Sequence, residues 1–308
     1  MDGSPQSRQS PPPTEPESAA LHALIEKFKA EALADAERIA VLRAQVESAA
    51  TDVPALLFAH HQLCRRRFGP PDPCIQPPAD MPAHLLDAFT MGGISSVEYA
   101  YSDNTYPANW PLVYTDNEID QYLARIARRQ WFIYGMVDVW LWEAIAKYPI
   151  NGLSVVNMGS VTPWYESNCL YFGGSSTTID YNKIITLTDR IKTMTVAEWD
   201  HDRPTFDVAC SISSFEHDGL GMYGDPLDPD GDLKAMQKMK GVVKPGGLMF
   251  FAVPVGKDKI LYNLCRIYGE VRLKKMFEGW EVLDTFGFHP TLLLGPGHVQ
   301  PIFILKNV

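Results

Sequence analysis

The chain has 308 residues, 46% of them apolar, and a formal charge of −10, enough for a substantial core in one large domain with extensions or in two modest ones. The acidic balance excludes a general nucleic-acid binder, which needs a basic footprint; the one basic cluster, Arg65-Arg66-Arg67, reads as a solvated patch. Five scattered cysteines with no CxxC pair exclude a zinc ribbon and a redox motif, and point to reduced thiols in an intracellular, cytoplasmic setting.

Residues 1–18 are rich in Pro, Ser and Gln, lack the apolar core of a signal peptide, and are expected to be disordered. From Ala19 to about Ala50 the composition shifts to Ala, Glu, Leu and Arg. Leu21, Ile25, Phe28, Ala32, Ile39, Leu42 and Val46 follow an alternating four–three spacing that Asp35 interrupts. That spacing predicts either a coiled coil or a lone amphipathic helix packed on the main domain; the first implies a homodimer through residues 19–50. Residues 51–113 read as an irregular connector or lid. Prolines punctuate Gly69–Pro82, and the stretch SSVEYAYSDNTYPANWPLVY is aromatic and turn-rich. The best candidate for a membrane span, Trp131 to Trp142, is too short and contains Asp138, so no transmembrane segment is expected.

The main domain is placed at residues 114–308. Thr115 and Glu118 form a capping-box pattern, and Ile119, Tyr122, Leu123 and Ile126 give the helix a buried face. A second helix is expected over Phe132–Lys147, with Trp140 and Trp142 as core residues. Leu153 to Gly159 reads as the first strand, and Gly159-Ser160-Val161-Thr162 as a turn. Thr162 is expected to cap a helix with Pro163 at its first position. That helix N-terminus, delivered to the sheet edge, is an anion site. Thr177 to Asp180 is a short strand ending in an acid, and Met194 and Val196 mark a third.

Phe206 to Ile212 is apolar enough for a buried strand. The polar loop Ser213–Asp218 follows it, then a helix capped by Asp230 or Asp232 with Leu233, Met236, Met239 and Val243 on its apolar face. Lys244-Pro245-Gly246-Gly247 stops that helix, Gly246 supplying the positive φ of a type II turn. Leu248 to Val253 is a strand covered on both faces, which completes a right-handed βαβ unit. A helix through Leu261, Leu264, Cys265 and Ile267 is expected next. Two strands, Glu281–Phe286 and Ile302–Leu305, end the chain. Asp225, Asp228, Asp230 and Asp232 do not make a calcium loop. Counted from Asp228, glycine comes at the fourth position and Met239 at the twelfth, where the loop needs a glycine at the sixth and a glutamate; no metal is expected.

This order of elements resembles the class I S-adenosylmethionine-dependent methyltransferases. Four local matches carry the resemblance: VVNMG at the first strand, Asp180 at the end of the second, FDVACSISSFEH at the fourth and VVKPGGLMFFAVP entering the fifth. GSVTPWYE, SSFEHDGLGMYGDPLDPDGD and PVGKD are similar to a methyltransferase-like family of unknown function. The resemblance covers residues 151–308. It implies an α/β, Rossmann-like, mostly parallel seven-stranded sheet with a C-terminal antiparallel hairpin, here preceded by a helical extension. It further implies S-adenosylmethionine as cofactor, held around Asn157, Gly159, Ser160, Asp180, Tyr181, Ser213 and Glu216. The sequence departs from the family in carrying Asn157 where an acid is usual, Val161 where a second glycine is usual, and no clear acid for the adenine.

Asp180 can accept two ribose hydroxyls or cap an ordinary turn. His217 can act as the general base, since an imidazole takes up and releases protons near neutral pH, or can fix its loop by hydrogen bonding. The reading is methyl transfer to an oxygen or nitrogen of a glycan or small polar metabolite. The alternatives are a non-catalytic methyltransferase-like interaction protein and a nucleotide-sugar or dinucleotide enzyme; the chain has no Gly-x-Gly-x-x-Gly for the last. If residues 19–50 pair as a coiled coil, deleting residues 1–50 converts a dimer to a monomer in analytical ultracentrifugation while the domain stays folded. A full-length chain that sediments as a monomer at high concentration removes the dimer.

Overall fold

A computed structural model describes residues 76–102, 112–297 and 299–308, which all fall in one compact unit, Leu56–Val308. The expected disordered start, the helix of residues 19–50 with its dimer contact, the arginine cluster, Cys64 and Cys74 lie outside the described residues.

The first elements are α1 (Leu86–Phe89), β1 (Ser96–Tyr99), β2 (Leu112–Thr115), α2 (Asp116–Ala127) and α3 (Met136–Lys147). Then come β3 (Ser154–Met158), α4 (Trp164–Tyr171), β4 (Ser175–Asp180), β5 (Ile184–Leu187), β6 (Ile191–Thr195) and α5 (Val196–Asp202). The last part holds β7 (Phe206–Ile212), a 3-10 turn at Phe215–His217, α6 (Gly231–Val242), β8 (Val243–Ala252), β9 (Lys259–Tyr262), β10 (Cys265–Ile267), α7 (Glu270–Met276), β11 (Trp280–Phe286) and β12 (Ile302–Asn307).

Seven strands form one sheet in the order β11-β12-β8-β7-β3-β4-β6. β12 runs antiparallel to both its neighbours, β8 and β11, while the pairs from β8 to β6 are parallel. This is the α/β sheet, with its C-terminal antiparallel hairpin, that the methyltransferase resemblance implies. Alternation builds both its faces. Val155, Val208 and Phe250 pack into a core with Ile126 of α2, Leu141 and Trp142 of α3, and Trp164 of α4. Their sequence neighbours Val156, Ala209 and Phe251 pack on the other face with Trp199 of α5, Met236 and Met239 of α6, and Met276 of α7. Each such fully buried side chain contributes about 1.5–3 kcal/mol of transfer free energy. The order reverses beside β3: the chain moves outward to β4 and β6, then returns to β7 on the other side. The crevice at the carboxyl ends of β3 and β7 is therefore a topological switch point, where open α/β sheets bind ligands.

Four expectations need correction. The stretch Leu261–Ile267 is not helical but holds β9, the turn and β10, because β9 pairs in parallel with β1, Ser96 opposite Lys259, and antiparallel with β10. The third strand stops at Thr195, whose hydroxyl accepts the Glu198 amide while the Glu198 carboxylate accepts the Thr195 amide; this capping box opens α5 at Val196. Thr162 does not cap α4: Pro163 holds the cap position with no side-chain hydrogen bond, and the Thr162 carbonyl instead accepts from Trp164 N–H at 2.8 Å. Neither Asp230 nor Asp232 caps α6 through its side chain.

Asp232 has a different task. Its carboxylate is fully buried and accepts from Arg272 Nε at 2.9 Å, Arg272 Nη2 at 2.5 Å and the Tyr268 hydroxyl at 2.9 Å, with Arg266 Nε at 3.7 Å. Arg266, also fully buried, donates to the carbonyls of Asp218, Asp228 and Pro229. Burial works against the charge on Asp232, but the two guanidiniums prevail and hold its carboxyl below the usual range. The loop between β7 and α6 is thereby bolted to β10 and α7. Removing one partner of a buried pair strands the other's charge, so Asp232→Ala should lower stability by about 3–5 kcal/mol in urea unfolding. Asp200→Ala, which breaks ion pairs with Lys238 and Arg203 at the surface, should leave the transition nearly where it was.

Candidate functional site

The turn after β3 forms the first wall of the crevice. Gly159 has φ +65°, and a Cβ there would collide with the Ser214 side chain across the crevice, so only glycine fits both the turn and the approach. Its N–H donates to Ile179 O at 2.9 Å. The next amide, Ser160 N–H, donates to Asp180 Oδ2 at 3.1 Å, and Asn182 N–H donates to Asp180 Oδ1 at 2.8 Å. Burial pushes the Asp180 carboxyl up, against the pull of these amides. Behind the turn, the buried Tyr114 of β2 donates its hydroxyl to Ser160 O at 2.9 Å. Asn157 is buried in the sheet, donating to Ser176 Oγ at 2.9 Å and accepting from Cys169 Sγ at 3.6 Å. Tyr181 and Val161 lie at the rim, 55% and 42% exposed.

The N-terminus of α4 carries an acid of its own. Glu166, in its first turn, is fully buried; Thr178 donates to its Oε1 at 2.6 Å, and its Oε2 has no partner. Burial lifts its carboxyl to about 7. Glu118 of α2 is lifted to about 7 as well, by burial first and then by Glu166. An anionic ligand at this helix end would meet a carboxyl group in the first turn.

The second wall follows β7. Ser213 has φ +53°, a conformation that costs a non-glycine residue free energy. It donates its hydroxyl to Glu216 Oε1 at 2.5 Å and accepts from Gln300 Nε2 at 3.2 Å. Glu216 is only 1% exposed, and burial raises its carboxyl above the ordinary range. His217 Nδ1 lies 2.6 Å from the Leu264 carbonyl, in the β9–β10 turn. A carbonyl can only accept, so Nδ1 carries the proton and Nε2 of the neutral ring keeps its lone pair. Nε2 stands 3.8 Å from Glu216 Oε1, outside hydrogen-bond range.

The acidic loop closes over these walls. Asp225 accepts the amides of Gly219, Gly221 and Tyr223, and Asp228 accepts from Asp230 N–H and Lys234. The Tyr223 ring packs edge-on against His217 at 5.4 Å, while its carbonyl accepts from the Asn182 side chain at 3.3 Å. The loop thus spans the crevice from the end of β7 to the end of β4. Among the described residues no group of three or more His, Cys, Asp and Glu is placed to hold a metal ion.

Of the expected site residues, Gly159, Ser160 and Asp180 meet at one side of the crevice, and Ser213, Glu216 and His217 at the other. Asn157 supports the first side from within the sheet. Sequence reasoning passed over the site contacts of Tyr114, Leu264 and Gln300. Tyr114 lies on β2, Leu264 in the β9–β10 turn and Gln300 just before β12, and no local pattern joins them to the site.

The family model described as "Caenorhabditis protein of unknown function, DUF268" matches residues 152–291. No curated protein matches the chain. Among solved structures, the chain is similar to the Burkholderia thailandensis 1,6-didemethyltoxoflavin-N1-methyltransferase, solved with 1,6-didemethyltoxoflavin and S-adenosylhomocysteine, at 14% identity over 66% of this chain and 94% of that one, with a TM-score of 0.44. It is also similar to an S-adenosylmethionine-dependent methyltransferase from Mesorhizobium loti, at 12% identity over 54% of this chain and 97% of that one, TM-score 0.35. A Streptococcus thermophilus protein described as a hemolysin matches at 14% identity and a TM-score of 0.35 over 55% of this chain, which spans 64% of that protein's length.

Because burial raises the Glu166 carboxyl, the folded state holds a proton there that the unfolded state releases from about pH 4.5 upward. Stability from this group is full below that pH and is lost as pH rises to about 7. Glu166→Gln should therefore gain on the wild type across this window and plateau above it, by on the order of 1–3 kcal/mol, measured by denaturant unfolding at a series of pH values. A variant that loses stability equally at pH values below and above the window rejects the assignment.

Proposed function

We propose that the chain is an S-adenosylmethionine-dependent methyltransferase acting on an oxygen or nitrogen of a glycan or small polar metabolite. One observation carries the reading. The switch-point crevice brings together a positive-φ glycine turn, a strand-end carboxylate and an imidazole whose Nε2 is left as a proton acceptor. The residues present suit the cofactor. Gly159 has no side chain, and Asp180 accepts the amides of Ser160 and Asn182 on separate oxygens, which leaves lone pairs for ribose hydroxyls.

When bound, S-adenosylmethionine supplies an electrophilic methyl group. Asp180 would accept the ribose hydroxyls, with Tyr181 at the rim beside it. Gly159 and Ser160 would let the ligand approach the backbone, supported from behind by Asn157. Ser213 and Glu216 would form the opposite wall. His217 would take the acceptor's proton at Nε2, its ring oriented through Nδ1–H to Leu264 O. The loop stapled by Asp225 would limit water, leaving positioning to supply much of the rate. The buried free thiols Cys169 and Cys210 support an intracellular, cytoplasmic location, and among the described residues no helix is long and apolar enough to cross a membrane. A second reading, a non-catalytic interaction protein, draws on the Ser214 side chain filling the space in front of Gly159.

Calorimetry with S-adenosylhomocysteine should give a micromolar-range dissociation constant that Asp180→Ala weakens by about tenfold or more, about 1.4 kcal/mol. His217→Ala should keep that affinity and lose about 10²–10⁴ in transfer of labelled methyl to a panel of sugars and small hydroxy acids. Unchanged transfer in His217→Ala removes the base assignment, and a folded wild type that does not bind the cofactor favours the interaction protein.

A further inference from the structure

We infer that the tip of the acidic loop, Gly221–Gly224, is a flap whose Tyr223 ring covers His217, and that the Asn182 side chain latches it shut. The flap rests on the methyltransferase reading for what it admits, but not for its motion. The His217 side chain is only 17% exposed, whereas a group that gives its proton to Nε2 must come within about 3 Å of that atom. Three neighbours stand against the imidazole. Leu264 O lies 2.6 Å from Nδ1, Glu216 Oε1 lies 3.8 Å from Nε2, and the Tyr223 ring packs at 5.4 Å between centroids, with 77° between the planes. Leu264 is fixed in the β9–β10 turn, its N–H donating to Leu261 O at 2.6 Å. Glu216 is buried and accepts from Ser213. Tyr223 is the neighbour that can leave, because both its hydrogen bonds among the described residues run through its backbone and none through its hydroxyl.

The loop is firm at its base and loose at its tip. At the base, Arg266 Nη1 donates to Asp218 O at 2.5 Å, Arg272 Nη2 to Pro229 O at 2.7 Å, Gly219 N–H to Asp225 Oδ2 at 2.7 Å and Asp228 N–H to Gly219 O at 2.9 Å. Leu220 is fully buried in a cluster with Met81, Phe89, Ile260 and Tyr262. At the tip the bonds are long. Gly224 N–H donates to Gly221 O at 3.3 Å, Tyr223 N–H to Asp225 Oδ1 at 3.2 Å and Asn182 Nδ2 to Tyr223 O at 3.3 Å, at the far end of the range for such bonds. Gly221 and Gly224, at φ +79° and +83°, bound the segment and can absorb the backbone rotation that a hinge needs.

The latch joins the two walls of the crevice. Asn182 gives its backbone N–H to Asp180 and its side-chain amide to the Tyr223 carbonyl. When the second bond breaks, the first can stay, so the tip can lift Tyr223 off the imidazole while the carboxylate keeps its tie to the end of β4. A fixed aromatic cover would show the same ring contact with His217, but the state of Asn182 would not matter to it. Asn182 therefore separates a flap from a cover.

The test is the rate at which diethyl pyrocarbonate acylates His217 at neutral pH, read on the full chain by peptide mass mapping and scaled to His201, whose side chain is 89% exposed. Tyr223→Ala should raise the His217 rate by about tenfold, the order expected when an edge-on aromatic contact is lost. Asn182→Ala, which keeps the backbone amide on Asp180, should raise it by about threefold, as loss of one hydrogen bond allows. Tyr223→Phe keeps the ring and should match the wild type. Circular dichroism checks that each variant is folded, and Asn182→Ala decides alone if Tyr223→Ala does not fold. A rate raised by Tyr223→Ala but unmoved by Asn182→Ala means a fixed cover and overturns the flap. A rate unmoved by both, or raised as much by Tyr223→Phe as by Tyr223→Ala, overturns it too. Calorimetry with S-adenosylhomocysteine on the same samples separates the two claims. The expected rates without cofactor binding keep the flap and remove the methyltransferase reading, whereas the reverse removes the flap alone.

Discussion

The Asp180 carboxylate, with the Ser160 amide on one oxygen and the Asn182 amide on the other, ties the turn after β3 to the end of β4. Both amides sit where the chain leaves a strand and has no ladder partner, so without the carboxylate each would need another acceptor. The rest of the edge depends on this tie. It holds Gly159 at positive φ against Ser214, which sets the width of the crevice. It also fixes the segment from which Asn182 reaches the Tyr223 carbonyl, the point where the acidic loop lands.

That loop would be unstable on charge alone. Asp218, Asp225, Asp228, Asp230 and Asp232 lie within fifteen residues of one another in sequence, and burial lifts the Asp218 carboxyl well above its ordinary range. Two arginines from β10 and α7 offset the concentration of acids, taking up Asp232 and the loop's carbonyls together. The β9–β10 segment has a second effect, because its turn offers the Leu264 carbonyl to His217. One hairpin therefore both anchors the loop over the crevice and chooses the tautomer of the imidazole beneath it.

Much of the sheet was legible in the sequence, for a physical reason: buried parallel strands must be apolar at nearly every position, and Phe206–Ile212 was bounded to the residue by that rule. Thr115 likewise marked the start of α2, its hydroxyl accepting the Glu118 amide at 3.3 Å. Leu261, Leu264 and Cys265 mimicked a helical face, but they fall on β9, its turn and β10, and β9 gets its parallel partner, β1, from far upstream, which no local window contains. The Thr195–Glu198 capping box was present in the sequence and was passed over in favour of extending the strand. In the site, glycine, acid and histidine could be named from spacing. What they do there depends on Leu264, Gln300 and Tyr114, whose hydrogen bonds to His217, Ser213 and Ser160 span 46 to 87 residues.

The central claim, that the switch-point crevice is a cofactor site for S-adenosylmethionine, is tested most directly by parallel calorimetric titrations of the full chain with S-adenosylhomocysteine, NAD and nucleotide sugars. The account predicts saturable binding of S-adenosylhomocysteine in the micromolar range with one site per chain, and none for NAD. Tight binding of NAD or of a nucleotide sugar with no response to S-adenosylhomocysteine would contradict it.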